Sequence, residues 1–161
     1  MKKTRVLACL VILTSFALWT PRPMNAEGRV ELSNGQTTYV PVYSHIYSGD
    51  RELQFKLTVT LSIRNIDLKH RIEITAVDYY LTQGKLHKKY LEVPVVLGPL
   101  ESVRYVIPER EGAGGSGANF IVEWKAEEFV NPPIVESVMI GTQSQQGISF
   151  TSRGRPIIIS K

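Results

Sequence analysis

The chain has a single cysteine, Cys9, in 161 residues. A disulfide-dense scaffold and a zinc site built from several thiolates are both excluded. Histidines are few: His45, His70 and His87 stand far apart, with no i,i+2 or i,i+4 spacing to set two on one face. No metal and no cofactor is expected. No window carries a sustained apolar period of 3.6 with caps, so helices are not expected either. The composition, 43% hydrophobic and 21% charged, is not that of a disordered chain. The length suits one ordinary domain with a real core.

The formal charge of +4 has a local source. Residues 1–26 hold Lys2, Lys3, Arg5 and Arg22 and no acid. Without those four of the 19 bases, 15 bases face 15 acids. The body is neutral, and nucleic acid is not an expected partner.

The leader has three parts. A positive start is followed by Val6 to Trp19, in which only Thr14 and Ser15 are polar, and then by Pro21 and Pro23. This is the plan of a secretory signal peptide, with cleavage expected after Ala26 in Met24-Asn25-Ala26. The apolar run is shorter than the ~20 residues that span a bilayer. An uncleaved N-terminal anchor is the alternative, and no stable membrane span is expected after cleavage. Val6-Leu7-Ala8-Cys9 superficially resembles a lipobox, but most of the apolar core follows the cysteine rather than preceding it. Cleavage removes Cys9 and with it thiol chemistry. The expected location is periplasmic or secreted. Residues 27–35 read as a loosely held polar lead-in, and 36–161 as one domain.

Period two dominates the body. Phe55, Leu57, Val59, Leu61 and Ile63 alternate with Lys56, Thr58, Thr60, Ser62 and Arg64, which predicts a strand with one buried face. Ile72, Ile74 and Ala76 continue the alternation, then the phase slips to Val77, Tyr79 and Leu81; a slip inside a strand predicts a β-bulge. Thr82-Gln83-Gly84-Lys85 reads as a turn into Leu86 to Leu91. Val103, Tyr105 and Ile107 alternate, as do Phe120, Val122, Trp124 and Ala126. Ile134, Val138 and Ile140 suggest a further strand interrupted by Glu136. Gln36 to Tyr43 begins the sheet, with Pro41 at an edge or bend. Ile148 to Thr151 and Ile157 to Ile159 are weaker strands. Seven to nine short strands predict an all-β antiparallel sandwich, immunoglobulin-like first, with a jelly roll or small barrel as the alternative.

Several stretches resemble a known family. They are Tyr39-Val40-Pro41-Val42-Tyr43-Ser44-His45-Ile46-Tyr47, Leu61-Ser62-Ile63-Arg64-Asn65, Val77-Asp78-Tyr79-Tyr80, Gly115-Ser116-Gly117-Ala118-Asn119-Phe120 and Val122-Glu123-Trp124. The most specific is the run from Met139-Ile140-Gly141-Thr142 through Gln143-Ser144-Gln145-Gln146 to Thr151-Ser152-Arg153-Gly154. Together, from Gln36 to Arg155, they resemble an exported bacterial family known as domain of unknown function 3124. The resemblance implies a bacterial exported protein and carries no mechanism with it.

The candidate binding segment is the polar run Gly141 to Arg155. Thr142, Gln143, Ser144, Gln145 and Gln146 offer donors and acceptors suited to a sugar, a peptide or a polar surface. Arg153 and Arg155 add planar cations for a carboxylate or phosphate. A solvated loop whose amides bond its own backbone is the competing reading. Gly112 to Asn119, with four glycines, reads as a flexible connection; it is neither a Walker loop nor a nucleophile elbow. Asp78-Tyr79-Tyr80 lies beside the expected bulge, and Trp124 is a core candidate. The function expected is a non-enzymatic binding or assembly module for an envelope protein or polar ligand. The alternative is a hydrolase on a polar polymer, with carboxylates gathered from Asp78, Glu123 and Glu136.

Overall fold

Alternating side chains become strands wherever both faces find a use. The computed structural model describes residues 31–143 and 146–158. The leader, its cleavage point, Ser144, Gln145 and Ile159 lie outside the described residues. The strands are β1 (Ser33–Val42), β2 (His45–Ser48), β3 (Leu53–Lys56), β4 (Thr58–Arg64), β5 (Ile72–Tyr80) and β6 (Leu86–Lys89). They continue as β7 (Val95–Leu97), β8 (Ser102–Ile107), β9 (Ala118–Val130), β10 (Ile134–Gln143), β11 (Gln146–Arg153) and β12 (Arg155–Ile157). No described helix is long and apolar enough to cross a membrane.

Two antiparallel sheets face each other in an all-β sandwich. One has the order β12-β1-β9-β5-β6, with β7 also on β5; the other has the order β11-β10-β4-β8. β2 and β3 form a separate hairpin. The core lies between the sheets. Val40, Val42, Ile74, Tyr79, Phe120 and Val122 come from the first, and Val59, Leu61, Ile63, Ile107 and Met139 from the second. The sandwich does not close into a barrel.

Phe55, Leu57, Val59, Leu61 and Ile63 are all buried, as their alternation predicts. They belong, however, to two strands. The chain breaks at Leu57, whose N–H donates to the Ser44 carbonyl at 3.0 Å. β3 then serves β2, while β4 serves β10 and β8. The bulge expected in β5 is present: Ile74 faces Trp124, Ala76 faces Glu123, and Thr75 is the extra residue. It moves burial from Ile72 and Ile74 to Val77 and Tyr79. β1 starts at Ser33, inside the segment read as a loose lead-in. Pro41 lies beyond the reach of β12, which pairs only with Thr37 to Tyr39. Its carbonyl accepts from Ser137 Oγ at 2.7 Å.

The strand suggested by Ile134, Val138 and Ile140 is present as β10 and runs on to Gln143. Ile134, Val138 and Ile140 do not form its buried face; Val135, Ser137, Met139 and Gly141 do. Two of the inward positions, Ser137 and Gly141, carry no large apolar side chain. A Cβ on Gly141 would collide with the Phe55 ring and stand 2.8 Å from the Lys56 carbonyl. Ser137 satisfies its hydroxyl on the β1 backbone. Hydrophobicity therefore points to the wrong face of this strand.

Candidate binding surface

The polar run Gly141 to Arg155 is not a long loop. It is the hairpin of β10 and β11, in register from Glu136↔Arg153 to Gln143↔Gln146. Edge strands tolerate polar residues because one face meets water. Thr142 is exposed at the end of β10. Gln143 is half-buried, and its Nε2 donates to Glu109 Oε1 at 2.7 Å, tying the segment after β8 to the hairpin. Gln146 lies at the start of β11. Arg153 is exposed on β11, whereas Arg155 belongs to β12 in the other sheet, opposite Tyr39. Gly154 makes the crossing. Its N–H donates to the Val135 carbonyl at 2.8 Å, and a Cβ there would collide with Thr38 Cγ2. Thr142 and Arg153 thus share a face that Gln143 and Arg155 do not.

That shared face is the outer side of the β11-β10-β4-β8 sheet. The register lays Val106, Thr60, Val138 and Thr151 in one row across it. Thr58, Ile140 and Ser149 lie in the row on one side. Arg104, Ser62, Glu136 and Arg153 lie in the row on the other. Val106 and Ile140 are nearly half exposed, at 46% and 49%. Arg64 binds Ser62 Oγ at 3.0 Å and approaches Glu136 at 3.7 Å. Arg104 and Arg153 have no carboxylate within 4.0 Å among the described residues. The result is a flat field of hydroxyl and β-branched side chains with two available guanidinium groups at its border.

The concavities lie elsewhere. A groove of about 490 Å³ runs over the six-stranded sheet between Arg71, Glu73, Val96, Lys125 and Glu127. Two carboxylates line it, but each is held by a cation: Glu127 by Arg71 at 2.8 Å and Glu73 by Lys125 at 3.3 Å. The Glu127 side chain is 80% exposed. Asp78, Glu123 and Glu136 do not gather. Asp78 pairs with Lys89 at 3.8 Å on the six-stranded sheet, where Glu123 also lies, and Glu136 belongs to the other sheet.

The other candidates have structural partners. Gly112 to Gly114 form a 3-10 turn that is docked rather than flexible. Ser44 Oγ accepts from the Gly115 N–H at 2.8 Å, and Thr82 N–H and Oγ1 both donate to the Gly114 carbonyl. Each histidine meets a different neighbour: His45 meets Tyr47, His70 meets Asp67 and His87 meets Glu111. His45 is buried. Tyr79 and Trp124 lie in the core, as packed aromatics should.

One polar hub went unread in the sequence. Buried Asn65 donates from Nδ2 to the carbonyls of His70, Leu97 and Gly98, and its Oδ1 accepts from the Asp67 N–H. Asp67 in turn accepts from the N–H groups of Lys69, His70 and Asn131. These bonds hold its carboxyl well below the usual carboxylate range, the Lys69 N–H first. The Asn-x-Asp spacing directly after a strand was the available signal, since such side chains bond the backbone two residues on.

A family model described as protein of unknown function (DUF3124) matches residues 35–157. The chain belongs to this family. The match spans the sandwich from β1 to β12, so the family's unit is this fold. No curated protein matches the chain. A solved structure titled "Crystal Structure of Thermotoga maritima 1070" is similar at 14% identity and a TM-score of 0.43, covering 74% of this chain and 92% of that one. A likeness at that level carries no argument about fold or function.

Proposed function

We propose that this member of the family is an exported, non-enzymatic binding module. Its working surface is the outer face of the β11-β10-β4-β8 sheet, which carries Thr142 and Arg153. The partner is an envelope protein presenting carboxylates on a flat surface. The observation that carries this reading is the open field around Thr60, Val138 and Thr151, bordered by Arg104 and Arg153, which have no carboxylate partner among the described residues. Flat faces suit macromolecular partners, whereas small substrates favour clefts. Arginine at the rim favours a carboxylate through paired hydrogen bonds. The hydrolase reading finds less support, because its candidate acids are dispersed over both sheets and two of them, Asp78 and Glu136, are ion-paired.

The test is site-specific photo-crosslinking in cells. A crosslinker at Thr151 should give one discrete protein adduct that Arg104→Glu with Arg153→Glu abolishes. The same crosslinker at Glu123, on the opposite outer face, should give none. An adduct from Glu123 alone would overturn the assignment.

A further inference from the structure

One end of the sandwich collects large apolar side chains that the core does not use. Leu32, Leu68 and Phe129 are 54%, 74% and 65% exposed. They come from three separate segments, yet they line one groove of about 280 Å³ together with Lys69 and His70. Two devices hold Leu68 and Phe129 outward. In β9, Gly35 faces Lys125 and Ser33 faces Val130, so residues 126–129 bulge past Asn34 alone and carry Phe129 out of the sheet. Asp67 fixes the connection bearing Leu68 and, through Asn131 N–H at 3.1 Å and Nδ2 at 3.2 Å, ties it to the segment after Phe129. The apolar groups are therefore displayed on a rigid base, and little ordering cost remains on contact.

We infer that this end of the domain rests in the headgroup region of a lipid bilayer, with Leu32, Leu68 and Phe129 inserted. The inference rests on the export reading above. What identifies the occupant is the position of Leu32: the chain enters the sandwich there, only thirteen positions after Trp19 closes the apolar leader. A leader in the membrane, before cleavage or without it, ties the domain to the bilayer surface by this end. Lys69 suits the phosphate level by extending its charged head from the apolar layer, while Arg71 stays paired with Glu127. Local charge is balanced, because Glu127 and Glu128 lie beside them. Insertion, not attraction to anionic lipid, supplies the affinity. β10 leads from Pro133 near this end to Gln143 at the far one, about 30 Å along a ten-residue strand. The polar hairpin would then point away from the membrane.

The experiment is vesicle flotation of the chain beginning at Glu27, which retains the whole core between Val40 and Met139. Vesicles of phosphatidylethanolamine and phosphatidylglycerol at three to one serve as the probe. The unaltered chain should float. Leu68→Ser with Phe129→Ser should lower partitioning at least tenfold, with near-ultraviolet circular dichroism unchanged. Leu68→Glu alone should do the same if the double variant folds poorly. Raising salt to 0.5 M should change little, and Ile140→Ser on the outer face of the four-stranded sheet should change nothing. A chain that never floats overturns the inference. So does a patch whose removal only converts a dimer to a monomer in sedimentation. Loss of flotation would leave the Thr151 adduct intact, so the two proposals fail separately.

Discussion

Tyr79 carries a buried hydroxyl that bonds to nothing among the described residues. Its ring packs against Phe120 at 5.0 Å and His87 at 5.8 Å. The missing side chain of Gly114 leaves the space the hydroxyl occupies, for a Cβ there would overlap the oxygen. Gly114→Ala should therefore destabilise by ~1–3 kcal/mol, the usual cost of overpacking. Tyr79→Phe removes an unpaired polar atom and should stay within ~1 kcal/mol of the parent. Combined, the two changes should cost less than their sum, because Phe removes the colliding oxygen and leaves only the ring carbon at 2.9 Å and Ala118 Cβ at 3.0 Å. Urea melts of the four proteins measure that coupling.

At the scale of an element, β10 gives the sharpest test. Met139→Ala should cost ~2–5 kcal/mol, because that side chain is fully buried, while the neighbouring Ile140→Ala should cost ~0.5 kcal/mol or less. Denaturant midpoints of the pair would show the reverse order if the hydrophobic pattern of the sequence held. The contrast with β3 and β4 explains what a sequence can reveal. From Phe55 to Ile63 the inward residues are large and apolar, so alternation exposes the face, though not the break at Leu57. In β10 two inward positions are Ser137 and Gly141, chosen by the close approach of β1 and β3. Only tertiary contact gives that information. The run Gly141 to Arg155 failed as a loop for a related reason, since a strand at a sheet edge can be as polar as a connection. Of its named residues, Thr142 and Arg153 could be assigned a common face once the register was known.

Across the whole molecule, an aromatic cluster bridges the two sheets. Tyr90 stands 5.4 Å from Tyr105 on β8 and 5.6 Å from Phe120 on β9. Burial first, and the Glu111 carboxylate second, push Tyr79 and Tyr90 up to about 12. An unfolded tyrosine loses its proton near ~10. Between those values the folded chain holds more protons, so its stability falls as pH rises. The contribution is fully present below pH ~10 and disappears through the folded pKa of about 12. Urea midpoints should be level between pH 7 and 9 and drop by pH 11. Tyrosinate absorbance should show two residues that ionise late or only on unfolding. Tyr90→Phe should shallow the alkaline slope.

The placement of β1 has a kinetic consequence. It is the first described strand, yet its neighbours are β9 and β12, so Thr37 sits between Glu123 and Ile157. A chain emerging from its N-terminus cannot pair β1 on either side until the last third has followed. Such long-range pairings make closure late and slow. Before then β1 is unpaired, so nothing in its sheet has to be undone for it to pass through a narrow channel. Its open edges are also exposed to pairing with other chains, which is where a holding chaperone would gain most.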